Sequence, residues 1–173
     1  MLIKDAARKA AGEVLRAYWH EGRFPVDPFE VARRMGIASY RVALQEDVSG
    51  MVVANSVDEA GTVEATILVD HTHTPHRQSF TCAHELGHYA ERVLTSKQGM
   101  STFAFVDKRT SKSDAHEFYA NEFAGNLLMP ENEVHRLLQS PTGASAAELA
   151  RYFNVSVPAM DVRLRRLTEA QSV

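Results

Sequence analysis

A single cysteine, Cys82, stands among the 173 residues, so no disulfide can form within the chain and a reducing compartment is expected. No apolar run approaches the about 20 residues of a membrane span. The opening stretch Met1-Leu2-Ile3-Lys4-Asp5 lacks the apolar core of a signal peptide. Together these absences predict a cytoplasmic protein with no membrane partner. Charge of one sign is missing too. The net charge of −3 gives no global attraction to nucleic acid or to an anionic surface. Internal repeats and low-complexity segments are also lacking. What is present is ordinary for a soluble domain: 45% hydrophobic and 24% charged residues, enough to bury one compact core.

Apolar positions at Ala7, Ala11, Val14, Leu15 and Tyr18 have helical spacing and predict a helix over residues 4–21. Pro25 and Pro28 break it. Asp27 is placed to cap a short second helix, with Pro28 at its first position and Gly36 as its stop. Tyr40–Leu44, Met51–Ala54 and Thr66–Val69 read as strands, the last two joined by a polar turn over residues 55–61. Thr74-Pro75 opens a helix to about Leu94. Residues 95–113 read as a polar loop, a candidate lid, with at most a short strand near Phe103–Val106. A helix over 114–129 ends at Pro130, and shorter helices follow at 131–139, 145–153 and 157–169. Helices around a small sheet make the fold class α+β.

The chemistry concentrates at His84-Glu85-Leu86-Gly87-His88. On a helix the two histidines of such a run stand one turn apart and about 40° around the axis, so both imidazoles can converge on one zinc ion. The glutamate between them projects alongside, where it can act on a water that the metal activates. Chance alone produces the pattern in roughly one shuffle of this composition in thirty, so context must support it. The helical wheel does. Ala83, Leu86, Gly87, Ala90, Val93 and Leu94 gather on one sector, leaving the histidines on a separate polar edge. Gly87 falls on the apolar side, where a missing Cβ permits close packing. Such a reason is needed, because glycine costs about 1 kcal/mol in a helix interior.

A catalytic zinc site takes three protein ligands and keeps a fourth position open. Helix 114–129 has a core-facing stripe of Tyr119, Ala120, Phe123, Ala124, Leu127 and Leu128, with Glu117 and Asn121 at its edge. A carboxylate half-turned into a core is costly unless paired or on a metal. Glu117 is therefore a candidate third ligand, and Asn121, one turn later, a candidate partner for a ligand imidazole. A solvated Glu117 and a packing Asn121 remain the alternative at this stage. Glu122 points away from this edge.

The segment Arg77-Gln78-Ser79-Phe80-Thr81-Cys82-Ala83-His84-Glu85-Leu86-Gly87-His88 resembles the R-x-x-F-T-x-A-H-E-L-G-H signature of the ImmA/IrrE metallo-endopeptidases. Residues 117–130, Glu117-Phe118-Tyr119-Ala120-Asn121-Glu122-Phe123-Ala124-Gly125-Asn126-Leu127-Leu128-Met129-Pro130, resemble that family's E-x-x-A-N-x-F-A-x-x-L-L-M-P. The likeness extends weakly to Pro25–Gly36 and to the C-terminal tail. It implies a zincin-like metallopeptidase domain of gluzincin type over residues 1–140, holding one zinc per chain on His84, His88 and Glu117, with Glu85 as general base. It further implies cleavage of a helix-turn-helix repressor or antitoxin, releasing stress or mobile-element genes. Tyr119, where many relatives carry glutamate, and Asp70, where asparagine is common, depart from the pattern without touching the inferred ligands. For the oxyanion donor the residues leave four candidates: His116, Tyr89, Tyr119 and Arg77.

Other features are read more plainly. His71, His73 and His76 fit no standard metal spacing and read as a polar loop leading into the helix. Cys82, about 160° from His84 on the wheel, reads as a small buried filler. Residues 141–173 resemble a helix-turn-helix module packed on the main domain, with a tight Asn154-Val155-Ser156 turn. Arg163, Arg165 and Arg166 on its second helix are possible phosphate contacts. The segment nets only +1, so DNA binding is the disfavoured reading. The rival functions are a zincin-fold binding module that sequesters a regulator without turnover, and a DNA-binding regulator with structural zinc.

Overall fold

A computed structural model describes residues 2–57, 63–94, 103–108 and 115–171. Helix α1 (Ile3–Tyr18) buries Ala7, Ala10, Ala11 and Val14, a stripe of small side chains that lets it lie close against its neighbours. Asp27 caps α2 (Pro28–Arg34), its Oδ1 accepting from the backbone N–H of Phe29 at 2.9 Å. Gly36, at φ +79°, ends that helix in the left-handed region where glycine carries no steric penalty.

Strands β1 (Ala38–Val42), β2 (Val48–Val57) and β3 (Val63–Asp70) follow, then α3 (Pro75–Leu94), β4 (Phe103–Lys108) and α4 (Ala115–Leu128). The sheet order is β1-β3-β2-β4: β1 runs parallel to β3, and β2 runs antiparallel to both β3 and β4. Ala65, Ile67 and Val69 alternate inward on β3, and Val52 and Ala54 on β2, so one face of the sheet is apolar and receives α3. The expected short strand in the 95–113 loop is longer than anticipated and forms the edge of the sheet. The rest of that loop, with its candidate lid role, lies outside the described residues.

The placement of α3 departs from the wheel. A helix with an apolar face and a separate polar edge was expected, yet residues 81–90 are buried all round. The reason is that α3 is covered on both sides, by β2 and β3 on one and by α4 on the other. Its polar edge therefore faces α4, with His84 at the margin of a cleft.

Helices α5 (Glu131–Leu138), α6 (Ala146–Phe153) and α7 (Val157–Gln171) complete the chain. Ser145 and Glu148 form a capping box at the start of α6, and Asn154 turns the chain at φ 52° into α7. Leu149, Phe153, Val155, Met160 and Leu167 join the same apolar cluster as α1, α3 and α4. Tyr152 donates to Glu133 at 2.7 Å, tying α6 to α5. No helix among the described residues is long and apolar enough to cross a membrane.

The α3–α4 contact turns on Gly87. A Cβ there would meet Ala120 Cα at 2.8 Å and its carbonyl oxygen at 3.1 Å, both backbone atoms that cannot swing aside. Gly87→Ala is expected to destabilise the fold by about 2 kcal/mol or more despite the better helix propensity of alanine. Thermal or denaturant unfolding against wild type reads this directly; an unchanged or raised stability would mean the two helices are not held this close.

Candidate metal centre

Because α3 and α4 cross at Gly87, the histidines one turn apart on α3 face the first turn of α4. His84 Nε2 and His88 Nε2 lie 3.0 Å apart, with the rings nearly perpendicular. Glu117 reaches across from α4, placing Oε2 3.3 Å from His84 Nε2 and Oε1 3.2 Å from His88 Nε2. These residues form the cluster of potential metal ligands found among the described residues. Bonds of about 2.0–2.1 Å to a tetrahedral zinc would separate ligand atoms by about 3.3 Å. The imidazole nitrogens and the two Glu117 carboxylate oxygens, one facing each ring, lie at spacings close to that length, so two histidines and one carboxylate are a donor set that fits a zinc ion.

The environment favours the same assignment. His84 and His88 are 4% and 1% exposed, and Glu85 is fully buried. His84 Nδ1 lies 3.2 Å from Asn121 Oδ1. With the amide oxygen as acceptor, Nδ1 carries the proton and the Nε2 lone pair turns to the cluster. Glu85 sits on the sheet side of α3. There a Cβ on Gly50 would come within 3.1 Å of Glu85 Oε1 and 2.4 Å of Thr81 Cγ2. Gly50 was not singled out in the sequence, although a lone glycine beside a strand pattern signals close approach of another element.

His84, Glu117 and Asn121 open onto a cleft of about 690 Å³. Of the four expected oxyanion donors, Arg77 lines this cleft and donates to the buried Ser49 hydroxyl at 3.2 Å. Tyr89 and Tyr119 belong to the apolar core. Burial pushes both phenols up, Tyr119 to about 12, with Tyr18 and Glu13 of α1 among the lesser influences. Neither tyrosine is among the described residues that line the cleft. His116 points instead to Glu91, with Nδ1 at 2.9 Å from Oε2, and its side chain is half exposed.

The remaining expectations sort as follows. His71, His73 and His76 do not converge: His73 lies 3.9 Å from Asp70, and His76 lies 3.2 Å from Asn154 Oδ1. Cys82 is fully buried, and burial raises its thiol well above the ordinary range, as a filler position requires. Of the arginines on α7, Arg163 is 5% exposed and donates to Met129 O at 3.0 Å and Asn126 Oδ1 at 2.9 Å. Such a guanidinium is spent on the end of α4 and is not presented to a phosphate. Arg166 is ion-paired with Glu122, and Arg165 is exposed. The wheel turned Glu122 away from the ligand edge; it is buried, and this pairing compensates its charge.

Three substitutions separate ligand from support. Glu117→Gln should remove or sharply weaken a single bound metal ion, as should His88→Ala. Asn121→Ala should keep the ion but lower its affinity about 10- to 100-fold, since the hydrogen bond that orients His84 is lost. Plasma mass spectrometry and chelator competition measure both, and full metal retention in Glu117→Gln would move the third ligand elsewhere.

Comparison with known proteins reaches the same residues. A sequence model described as the IrrE N-terminal-like domain of the M78 peptidases matches residues 40–165. The chain is 32% identical over 90 residues to metallopeptidase ImmA of Bacillus subtilis, covering 52% of this chain and 50% of that protein. It is 34% identical over 92 residues to the radiation response metalloprotease IrrE of Deinococcus radiodurans, covering 52% of this chain and 27% of that protein. The match thus spans about half the length of the first relative and about a quarter of the second. With the match running unbroken from β1 into α7 and enclosing both helices of the metal centre, the chain belongs to the ImmA/IrrE family of M78 metallopeptidases.

Proposed function

We propose that this protein is a zinc-dependent endopeptidase that hydrolyses a peptide bond in a specific regulatory protein of the cytoplasm. The observation that carries the reading is the convergence of His84, His88 and Glu117, the first and last of them lining an open cleft, with Glu85 on the same helix turn. His84 Nε2, His88 Nε2 and a Glu117 carboxylate oxygen would hold the ion. Zinc, when bound, supplies the Lewis acidity that polarises a scissile carbonyl and makes water nucleophilic near neutral pH.

The chain's own residues do the rest. Glu85 takes the proton from the attacking water and passes it to the departing amine. Asn121 keeps the His84 ring in the tautomer that leaves Nε2 free to ligate. Arg77, already on the cleft wall, is placed to donate to the developing oxyanion or to a substrate carbonyl beside it. Residues 1–140 make up the catalytic, zincin-like domain. The helical segment 141–173, read as a helix-turn-helix-like module, packs on that domain and closes one end of the cleft through α7.

The substrate we propose is a helix-turn-helix repressor or antitoxin whose cleavage derepresses stress or mobile-element genes. This rests on family analogy, supported by a relative whose name carries a radiation response. The engagement of Arg163 and Arg166 within the fold favours this reading over direct DNA binding.

Zinc-loaded protein incubated with such a repressor should release two discrete fragments. Glu85→Gln should keep its zinc and its grip on the repressor while cleavage falls by about 10²-fold or more. Tight repressor binding without cleavage in zinc-replete wild type, or derepression undiminished in Glu85→Gln, would instead make this a binding module that works without turnover.

A further inference from the structure

The cleft extends well past the metal ligands, and its far half has a chemistry that the proposed reaction does not use. On α4, Glu117, Asn121 and Gly125 follow one another at four-residue intervals and Met129 comes next, so the four share one stripe facing the cleft. Glu117 and Asn121 belong to the metal centre. Gly125 stands eight residues beyond Glu117, about 12 Å along the axis.

Gly125 differs from the other helical glycine of the site. Gly87 is required by packing, since a Cβ there would strike the backbone of Ala120. Gly125 is equally buried in a helix interior, yet a Cβ built on it meets nothing within 4 Å. Glycine weakens a helix, and no neighbour here demands it. Its effect is a dent in the floor of the cleft. The cleft that Gly125 lines has an apolar contribution from Phe80 on α3, Met129 just after α4, Val155 at the turn into α7, and Ala159 and Val162 on α7, alongside the polar Thr81, Glu122 and Ser156. Val162 leaves 38% of its surface uncovered beside it. The two arginines that reach this end are already engaged, Arg163 with Met129 and Asn126, and Arg166 with Glu122.

We infer that this dent is a subsite for an apolar side chain, aliphatic or aromatic, of a polypeptide substrate, and that Gly125 sets its depth. The inference rests on the peptidase reading. An extended chain advances about 3.3 Å per residue. A substrate running along α4 with its scissile carbonyl at the ligands therefore carries a side chain over Gly125 about three to four residues from the cut. That side chain selects substrates without touching the reacting atoms.

The test is cleavage of a randomised peptide library by zinc-loaded wild type, Gly125→Ala and Gly125→Leu, with metal content and melting temperature measured for each. The subsite predicts a preference for Leu, Ile, Val, Met or Phe at one position about three to four residues from the cut. The ratio of kcat/KM for leucine over alanine at that position should fall at least tenfold in Gly125→Leu, and by less in Gly125→Ala, while preferences flanking the cut persist. Should Gly125→Leu melt early, the graded shift in Gly125→Ala decides alone. Cleavage with no apolar preference there, or with a ratio unmoved by either variant, overturns the subsite and leaves the peptidase reading standing. If wild type cuts no peptide, the peptidase reading is judged on the intact repressor as above, and the subsite on binding. Enrichment of the same library on immobilised zinc-loaded protein then decides the subsite: loss of apolar peptides in the folded Gly125 variants upholds it, and identical enrichment overturns it.

Discussion

The candidate metal centre depends on how closely α3 and α4 can cross. His84 and His88 ride on one helix and Glu117 on the other, so the distance between the axes becomes the distance across the group that could hold an ion. Packed helices usually stand about 8–10 Å apart, according to the side chains at the contact. Gly87 against Ala120 is among the smallest pairs possible, and even one added methyl group would reach the Ala120 backbone at 2.8 Å. A zinc site tolerates deviations of only about 0.2 Å in its ligand distances. The requirement that brings Glu117 to the two imidazoles is therefore met by a residue that binds nothing. Asn121 adds a polar link across the same seam, joining α4 to His84.

A second glycine acts on the opposite side of α3. Gly50 in β2 lets the sheet approach until Thr81 and Glu85 lie where its Cβ would have been. Between Gly50 and Gly87, α3 is fixed from both sides, which explains why a helix carrying three polar functional residues is buried around its whole circumference. The same enclosure places Glu85 away from bulk water.

Much of this was legible in the sequence, for physical reasons that differ by element. The helices over Pro75–Leu94 and Ala115–Leu128 carry strong local signals in their opening Thr74-Pro75, their apolar spacing and the closing Pro130. The histidine pair follows from helix geometry, whereas the residues alone left Glu117 as one of two readings and the resemblance to the ImmA/IrrE signature singled it out as a ligand. The burial of the histidine edge was not legible, because a helical wheel records which residues share a face and not how many faces are covered. Order in the strand Phe103–Lys108 was visible only as a hint, since its partner β2 lies some fifty residues earlier and pairing of that kind leaves no local trace. Gly50 and Gly125 escaped notice for a related reason. Whether a missing Cβ is filled by a neighbour or left open is a property of the other element.

The C-terminal helices show how a local pattern and its tertiary use can diverge. A capped helix, a tight turn at Asn154 and a second helix with three arginines resemble a helix-turn-helix, with phosphate contacts as the disfavoured use of those arginines. In the fold the same features serve the cleft. Burying a guanidinium is costly unless its donors are met, and Arg163 meets them on the carbonyl of Met129 and the amide of Asn126, at the end of α4 where helical carbonyls lack intrahelical partners. Arg166 neutralises the buried Glu122 one turn away. Both bonds run from α7 to α4, the helix that carries Glu117, so the wall that closes the far end of the cleft is registered against the metal centre through one rigid element. Charge in this segment acts first on its own protein, fixing the distance between the ligands and the surface that faces them.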